Sequence, residues 1–138
     1  MIEYKTEHYY LGVDTEANLI IIRPIGFWAS VELVPDYKNQ ILASIDNDLK
    51  EGFGVIYDIS EMKAHPPEVR DEIHIKGVYE ITQRNPKASA VVSAESTIAK
   101  MQTALIRKSA ADESKSPAKE FETLNEALAF IKGYISGK

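Results

Sequence analysis

Four consecutive branched apolar residues, Leu19-Ile20-Ile21-Ile22, set the tightest limit on what this chain can fold into. Successive side chains of a strand point to opposite faces, so an apolar residue at every position requires burial on both. Such a strand belongs inside a sheet covered on its two sides. Runs of the same kind recur within Phe53–Ile59 and, around Val91 and Val92, within Ala88–Ser93. Between them apolar residues return every three or four positions, the period of a helix burying one stripe. Buried strands alternating with amphipathic helices predict an α/β domain with a largely parallel sheet.

Tyr9–Val13 and Leu19–Ile22 flank the polar stretch Asp14-Thr15-Glu16-Ala17-Asn18, which reads as a hairpin. A first helix is predicted from near Pro35, with Tyr37, Ile41, Ile45 and Leu49 as its stripe and Leu42 beside them. Glu51-Gly52 is expected to close it through a left-handed glycine. Pro66-Pro67 opens a second helix, which runs to about Arg84 and stops at Asn85-Pro86. Ser96 or Thr97 caps a third helix with Ile98, Met101 and Leu105 on its inner face, and Asp112–Pro117 forms a polar loop. A short strand around Phe121 leads to Thr123-Leu124-Asn125-Glu126, a capping-box pattern, and to a final helix with Leu124, Leu128, Ile131 and Ile135 inside. The predicted order is β-β-α-β-α-β-α-β-α. It gives a mostly parallel sheet with right-handed crossovers and one antiparallel strand at an edge, in a single domain over residues 1–138.

Composition narrows the function. The chain has no cysteine, which removes disulfides, thiolate metal sites and cysteine nucleophiles. Its formal charge of −5, from 16 Lys plus Arg against 21 Asp plus Glu, argues against nucleic-acid binding, which needs a clustered positive field. The N-terminus lacks a charged-then-apolar signal segment, and no apolar run is long enough for membrane insertion, so a cytoplasmic protein is expected. No cofactor motif stands out. Gly52-Phe53-Gly54 precedes its strand, whereas a dinucleotide fingerprint follows one. His8, His65 and His74 lack the helical spacing of metal ligands, so no metal site is expected.

Gly26-Phe27-Trp28 after the hairpin, the strand end Val55-Ile56-Tyr57-Asp58-Ile59-Ser60-Glu61-Met62, and Phe121-Glu122-Thr123-Leu124-Asn125-Glu126-Ala127-Leu128 together resemble the SpoIIAA-like fold of STAS domains. The likeness covers nearly the whole chain. It implies a regulatory binding module; in antagonist-type STAS domains such a module is switched by serine phosphorylation. Asp58-Ile59-Ser60 matches the family's Asp-x-Ser/Thr strand end. The phosphoacceptor turn would fall at His65-Pro66-Pro67-Glu68, which carries no hydroxyl, so that switch does not transfer. The sequence is more similar to divergent STAS/SEC14-like relatives.

Ligands of open parallel sheets bind beyond the carboxyl ends of the strands. Trp28, Ser60, Ser93, Ser96 and Thr97 are the candidate ligand-binding residues there, suited to a small acidic or lipid ligand with Trp28 as an apolar wall. The competing reading makes the serines helix caps and the aromatics core. Lys100, Thr103 and Arg107 share one face of the third helix and offer either an anion contact or a solvated surface. Asp58, Ser60 and Glu61 would be the equipment of an enzyme, but no nucleophile-elbow sequence surrounds Ser60, and no catalytic residue is assigned. In the second helix Val69, Ile73, Gly77 and Ile81 form the stripe facing the sheet. Ile75 and Tyr79 lie roughly 200° further round, on the far side. With Val78 beside them they are the candidate interface for a protein partner or a homodimer. The leading expectation is therefore a non-enzymatic regulatory or interaction module; the alternative is a small-molecule or lipid-binding domain with its crevice near Trp28.

Overall fold

The computed structural model describes residues 1–63, 65–92 and 118–136. Six strands form one sheet in sequence order: β1 (Ile2–Lys5), β2 (Tyr9–Asp14), β3 (Leu19–Pro24), β4 (Gly54–Asp58), β5 (Ala88–Val92) and β6 (Ala118–Phe121). The β1–β2 and β2–β3 pairings are antiparallel, and those from β3 to β6 are parallel. Helix α1 (Val34–Asp48) follows a single 3-10 turn, Val31–Leu33, whose Glu32 N–H is capped by the Ser30 hydroxyl. Helix α2 (residues 67–82) and helix α3 (Leu124–Ser136) complete the described elements. The predicted third helix and the polar loop after it lie outside the described residues, as do Ser93, Ser96, Thr97, Lys100, Thr103 and Arg107.

The run in β3 is buried on both faces, as its composition requires. Ile20 and Ile22 join Val55, Tyr57, Trp28 and the inner residues of α1 and α2 in one core. Leu19 and Ile21 join Ile56, Ala88, Ala90 and the inner residues of α3 in the other. Small residues set the spacing of this second layer. A Cβ on Gly54 would overlap Cγ2 of the fully buried Ile131, so α3 sits where only glycine leaves room for it.

Three boundaries depart from expectation. A first strand, β1, lies outside β2, so the antiparallel hairpin strand is not at the edge. Its alternating Ile2-Glu3-Tyr4-Lys5 is held by a register that sets Ile2 opposite Val13 and Tyr4 opposite Leu11. Second, α1 ends at Asp48, short of the glycine. Asn18 draws the chain away: its amide donates to the carbonyls of Lys50 and Glu51 (3.2 and 3.3 Å) and its Oδ1 accepts from the Lys50 N–H at 2.8 Å. Third, α2 is one continuous helix of two windings. Pro67–Arg70 and Val78–Thr82 are α-helical, and Asp71–Gly77 between them is a π-helix. Val69, Ile73 and Ile81 still face the sheet. A Cβ on Gly77 would stand 3.2 Å from the Glu72 carbonyl oxygen, so the wide turn closes most easily on glycine. At α3 the Thr123 hydroxyl accepts from the Glu126 N–H at 3.2 Å and donates to the Glu126 carboxylate at 2.9 Å. That is one half of the predicted capping box. Among the described residues, no helix is long and apolar enough to cross a membrane.

Candidate functional site

The strand-end loops after β3 and β4 meet, as their sequence positions predict. Gly26 N–H donates to the Glu61 carbonyl (2.9 Å) and Lys63 N–H to the Gly26 carbonyl (3.0 Å), forming a short parallel bridge. Phe27 and Trp28 then diverge. Phe27 is 56% exposed, whereas Trp28 is completely buried. The Trp28 indole N–H is shared by the carbonyls of His8 and Ile25 (3.1 and 3.0 Å), and its ring meets Tyr37 edge-on at 4.9 Å. Trp28 is thus a core residue whose one polar side-chain atom is satisfied. His65, which reads from sequence as an ordinary loop residue, is buried under the same loop, where its Nδ1 accepts the Trp28 backbone N–H at 3.2 Å.

Asp58 ends β4 with its side chain buried, and both carboxylate oxygens are engaged. Oδ2 accepts from Arg23 Nε at 2.9 Å; Oδ1 accepts from the Ser60 N–H at 3.1 Å and the Ser60 hydroxyl at 2.6 Å. Arg23 extends over the Tyr10 ring at 4.9 Å and reaches the exposed Glu61 at 3.7 Å. Asp58-Ile59-Ser60 therefore makes a side-chain-closed turn locked to the neighbouring strand, the structural use of such residues at a strand end. Sequence reasoning misses Arg23. Its signal is a charge directly after an apolar run, at the same end of its strand as an aspartate.

The far face of α2 divides the three candidate interface residues. Ile75 and Tyr79 are 41% and 46% exposed, but Val78 is 2% exposed and belongs to the core. One residue before Tyr79 on a helix is about 100° away, enough to turn Val78 onto α1 and the sheet. The neighbouring groove between α1 and α2 is lined by Val31 and Pro35 on one side and by Glu68, Asp71 and Glu72 on the other, with Lys38 and Lys76 among them.

Beneath α2 the structure holds a cleft that the sequence does not announce. Tyr57 from β4, Tyr37 and Ile41 from α1, and Ile73, Val78 and Ile81 from α2 contribute to its walls. Its enclosed cavity is about 20 Å³, within about 450 Å³ of atom-free space once the open mouth beside Lys38 and Glu72 is counted. The Tyr57 hydroxyl is buried and has no hydrogen-bond partner among the described residues. Burial pushes both phenols, Tyr37 and Tyr57, well above the usual tyrosine range, so each stays protonated. Among the described residues, no group of three His, Asp or Glu side chains converges to hold a metal.

No family model and no curated protein matches this sequence. Among solved structures, the chain is similar to an uncharacterised DUF3478-family protein with a SpoIIAA-like fold from Shewanella loihica PV-4. The TM-score is 0.55, with 14% sequence identity over 95% of this chain and 99% of that one. At that identity the likeness speaks for the fold. The chain is an α/β domain of SpoIIAA-like fold, in agreement with the motifs at the strand ends and at the start of α3.

Proposed function

We propose that this chain is a non-enzymatic regulatory module that docks a protein partner through the outer face of α2. The observation that carries this reading is the joint exposure of Ile75 and Tyr79, one turn apart on a helix whose opposite face is core. Large apolar side chains grouped on a surface favour burial against another molecule. In the adjoining groove Asp71 and Glu72 are already paired with Arg70 and Lys76 (3.2 and 2.7 Å), so the exposed apolar pair, and not charge, is what the partner would cover. The engagement of Asp58 by Arg23 and Ser60 speaks in the same direction, since a carboxylate with both oxygens occupied is a poor base.

The test is site-specific photocrosslinking in the protein's own cells. A photoreactive phenylalanine at Tyr79 is expected to trap one defined species, and Ile75→Glu is expected to abolish the adduct. The control probe goes at Tyr134, an equally exposed aromatic on α3 (41%). The same species trapped from both positions, or an adduct indifferent to Ile75→Glu, would overturn the docking face.

A further inference from the structure

We propose that the cleft beneath α2 is a binding site for a small uncharged molecule, apolar in body and carrying one acceptor that receives a hydrogen bond from the Tyr57 hydroxyl. The reasoning starts from the orphaned hydroxyl. A buried hydroxyl without a partner costs about 1–3 kcal/mol, and proteins rarely leave one in place without a use. Tyr57 lies in the central strand β4, only 4% exposed, among the residues that line the cleft. Its hydroxyl, without a partner among the described residues, is the polar group the cleft offers to a molecule arriving from outside.

The surroundings define what arrives. Ile22, Ile41, Ile59, Ile73 and Ile81 supply the walls, so a charged ligand would lose its hydration without a counter-ion at depth. The charges at the mouth are already engaged: Lys38 pairs with Glu80 at 3.2 Å and Lys76 with Glu72 at 2.7 Å. The Tyr57 phenol, kept protonated by burial, donates and so selects an acceptor such as a ketone, aldehyde or ester carbonyl. The resting space holds little more than a water, so the ligand is small and its entry displaces the roof. That roof is the π-helical stretch Asp71–Gly77, which supplies Glu72, Ile73 and Gly77 to the cleft. Single π-turns within helices occur frequently at functional sites.

Acetophenone and ethylbenzene, nearly equal in size and differing in the carbonyl, are the probes. Binding is read from the isoleucine methyl resonances of a selectively labelled protein. Acetophenone is expected to shift the methyls of Ile41, Ile73 and Ile81 saturably, and to bind about five- to tenfold more tightly than ethylbenzene, the worth of one hydrogen bond. Tyr57→Phe removes only an atom that has no partner among the described residues, so the fold persists. In that variant the preference for acetophenone is expected to vanish while ethylbenzene binds as before. Absence of saturable shifts at these methyls would overturn the site, and an acetophenone preference undiminished in Tyr57→Phe would overturn the role of the hydroxyl. Because Tyr79 lies outside both the cleft lining and its π-helical roof, Tyr79→Ser should leave probe binding intact while removing part of the docking face, so the docking face and the cleft stand or fall separately.

Discussion

Trp28 stands on the loop after β3 and Asp58 at the carboxyl end of β4, and each has its side-chain polar atoms accounted for. For Asp58 the decisive partner is Arg23, whose guanidinium is one-quarter exposed while the carboxylate is almost wholly buried. Removing a partner from such a pair leaves the other charge stranded, at a cost that exceeds the net worth of the pair. Arg23→Met keeps the aliphatic stem over Tyr10 but strands Asp58. It is expected to cost about 2 kcal/mol, discounted from the fully buried case because Arg23 reaches solvent. Adding Asp58→Asn should recover part of that loss, and urea unfolding of the two single variants and the double variant gives the coupling. If Arg23→Met proved neutral, the pair would have no structural role. The chemistry of these positions is only partly legible in the sequence. Asp58 and Ser60 are visible as a strand-end motif, but their engagement depends on which strand lies alongside, and that is a register fact no local pattern contains. The same holds for His65, whose partner is a backbone amide 37 residues away along the chain.

Among the elements, legibility follows the strength of the period. β3, β4 and β5 are readable because continuous apolar runs have one structural solution, and the inner stripe of α2 is readable because Val69, Ile73 and Ile81 keep their spacing. β1 escapes notice because four residues, three of them exposed, carry too little pattern to separate a strand from a tail. The π-winding escapes because helical stripes survive a locally widened turn. Helix α3 offers a test of how closely its layer is packed. It crosses the sheet where Gly54 of β4 leaves space for Ile131, and it carries a glycine of its own, Gly133, beside which an added Cβ would meet no described atom. Gly54→Ala is expected to destabilise by about 1–3 kcal/mol, because overpacking must push Ile131 or the whole helix outward. Gly133→Ala should instead stabilise by about 0.5–1 kcal/mol through helix propensity alone. Denaturation midpoints of the two variants should therefore move in opposite directions. Equal shifts would mean that α3 does not depend on this contact for its seat.

At the scale of the molecule, acid should act on the fold through the junction where β3, β4 and α2 converge. His65 stands just before α2 and reaches back to the loop after β3, so the Trp28 N–H bond to its Nδ1 spans that junction. Burial of the ring lowers its pKa from the ordinary 6.5 to about 4. The unfolded chain therefore takes up a proton at His65 between these values while the folded chain refuses it. Linkage fixes the sign: the contribution is fully present above pH 6.5 and is lost as pH falls towards 4. Each pH unit between the two values is worth roughly 1.4 kcal/mol, so about 3 kcal/mol is the upper bound for what disappears across that window. The tyrosines do not interfere, since Tyr9 and Tyr10 are pushed up to about 12 by burial and by their carboxylate partners Asp36 and Glu3. Asp46, held below its usual range by the Arg84 guanidinium, adds its own acid sensitivity, but equally in any variant that leaves Arg84 alone. The informative comparison is His65→Asn, whose side-chain oxygen can accept the Trp28 amide and cannot titrate. The wild-type urea midpoint should fall steeply as the pH is lowered from neutrality towards the folded-state value of about 4, and that of His65→Asn should start lower and fall less. Parallel curves would show that protonation of His65 is not what acid exploits, and would move the search to the carboxylates of the surface.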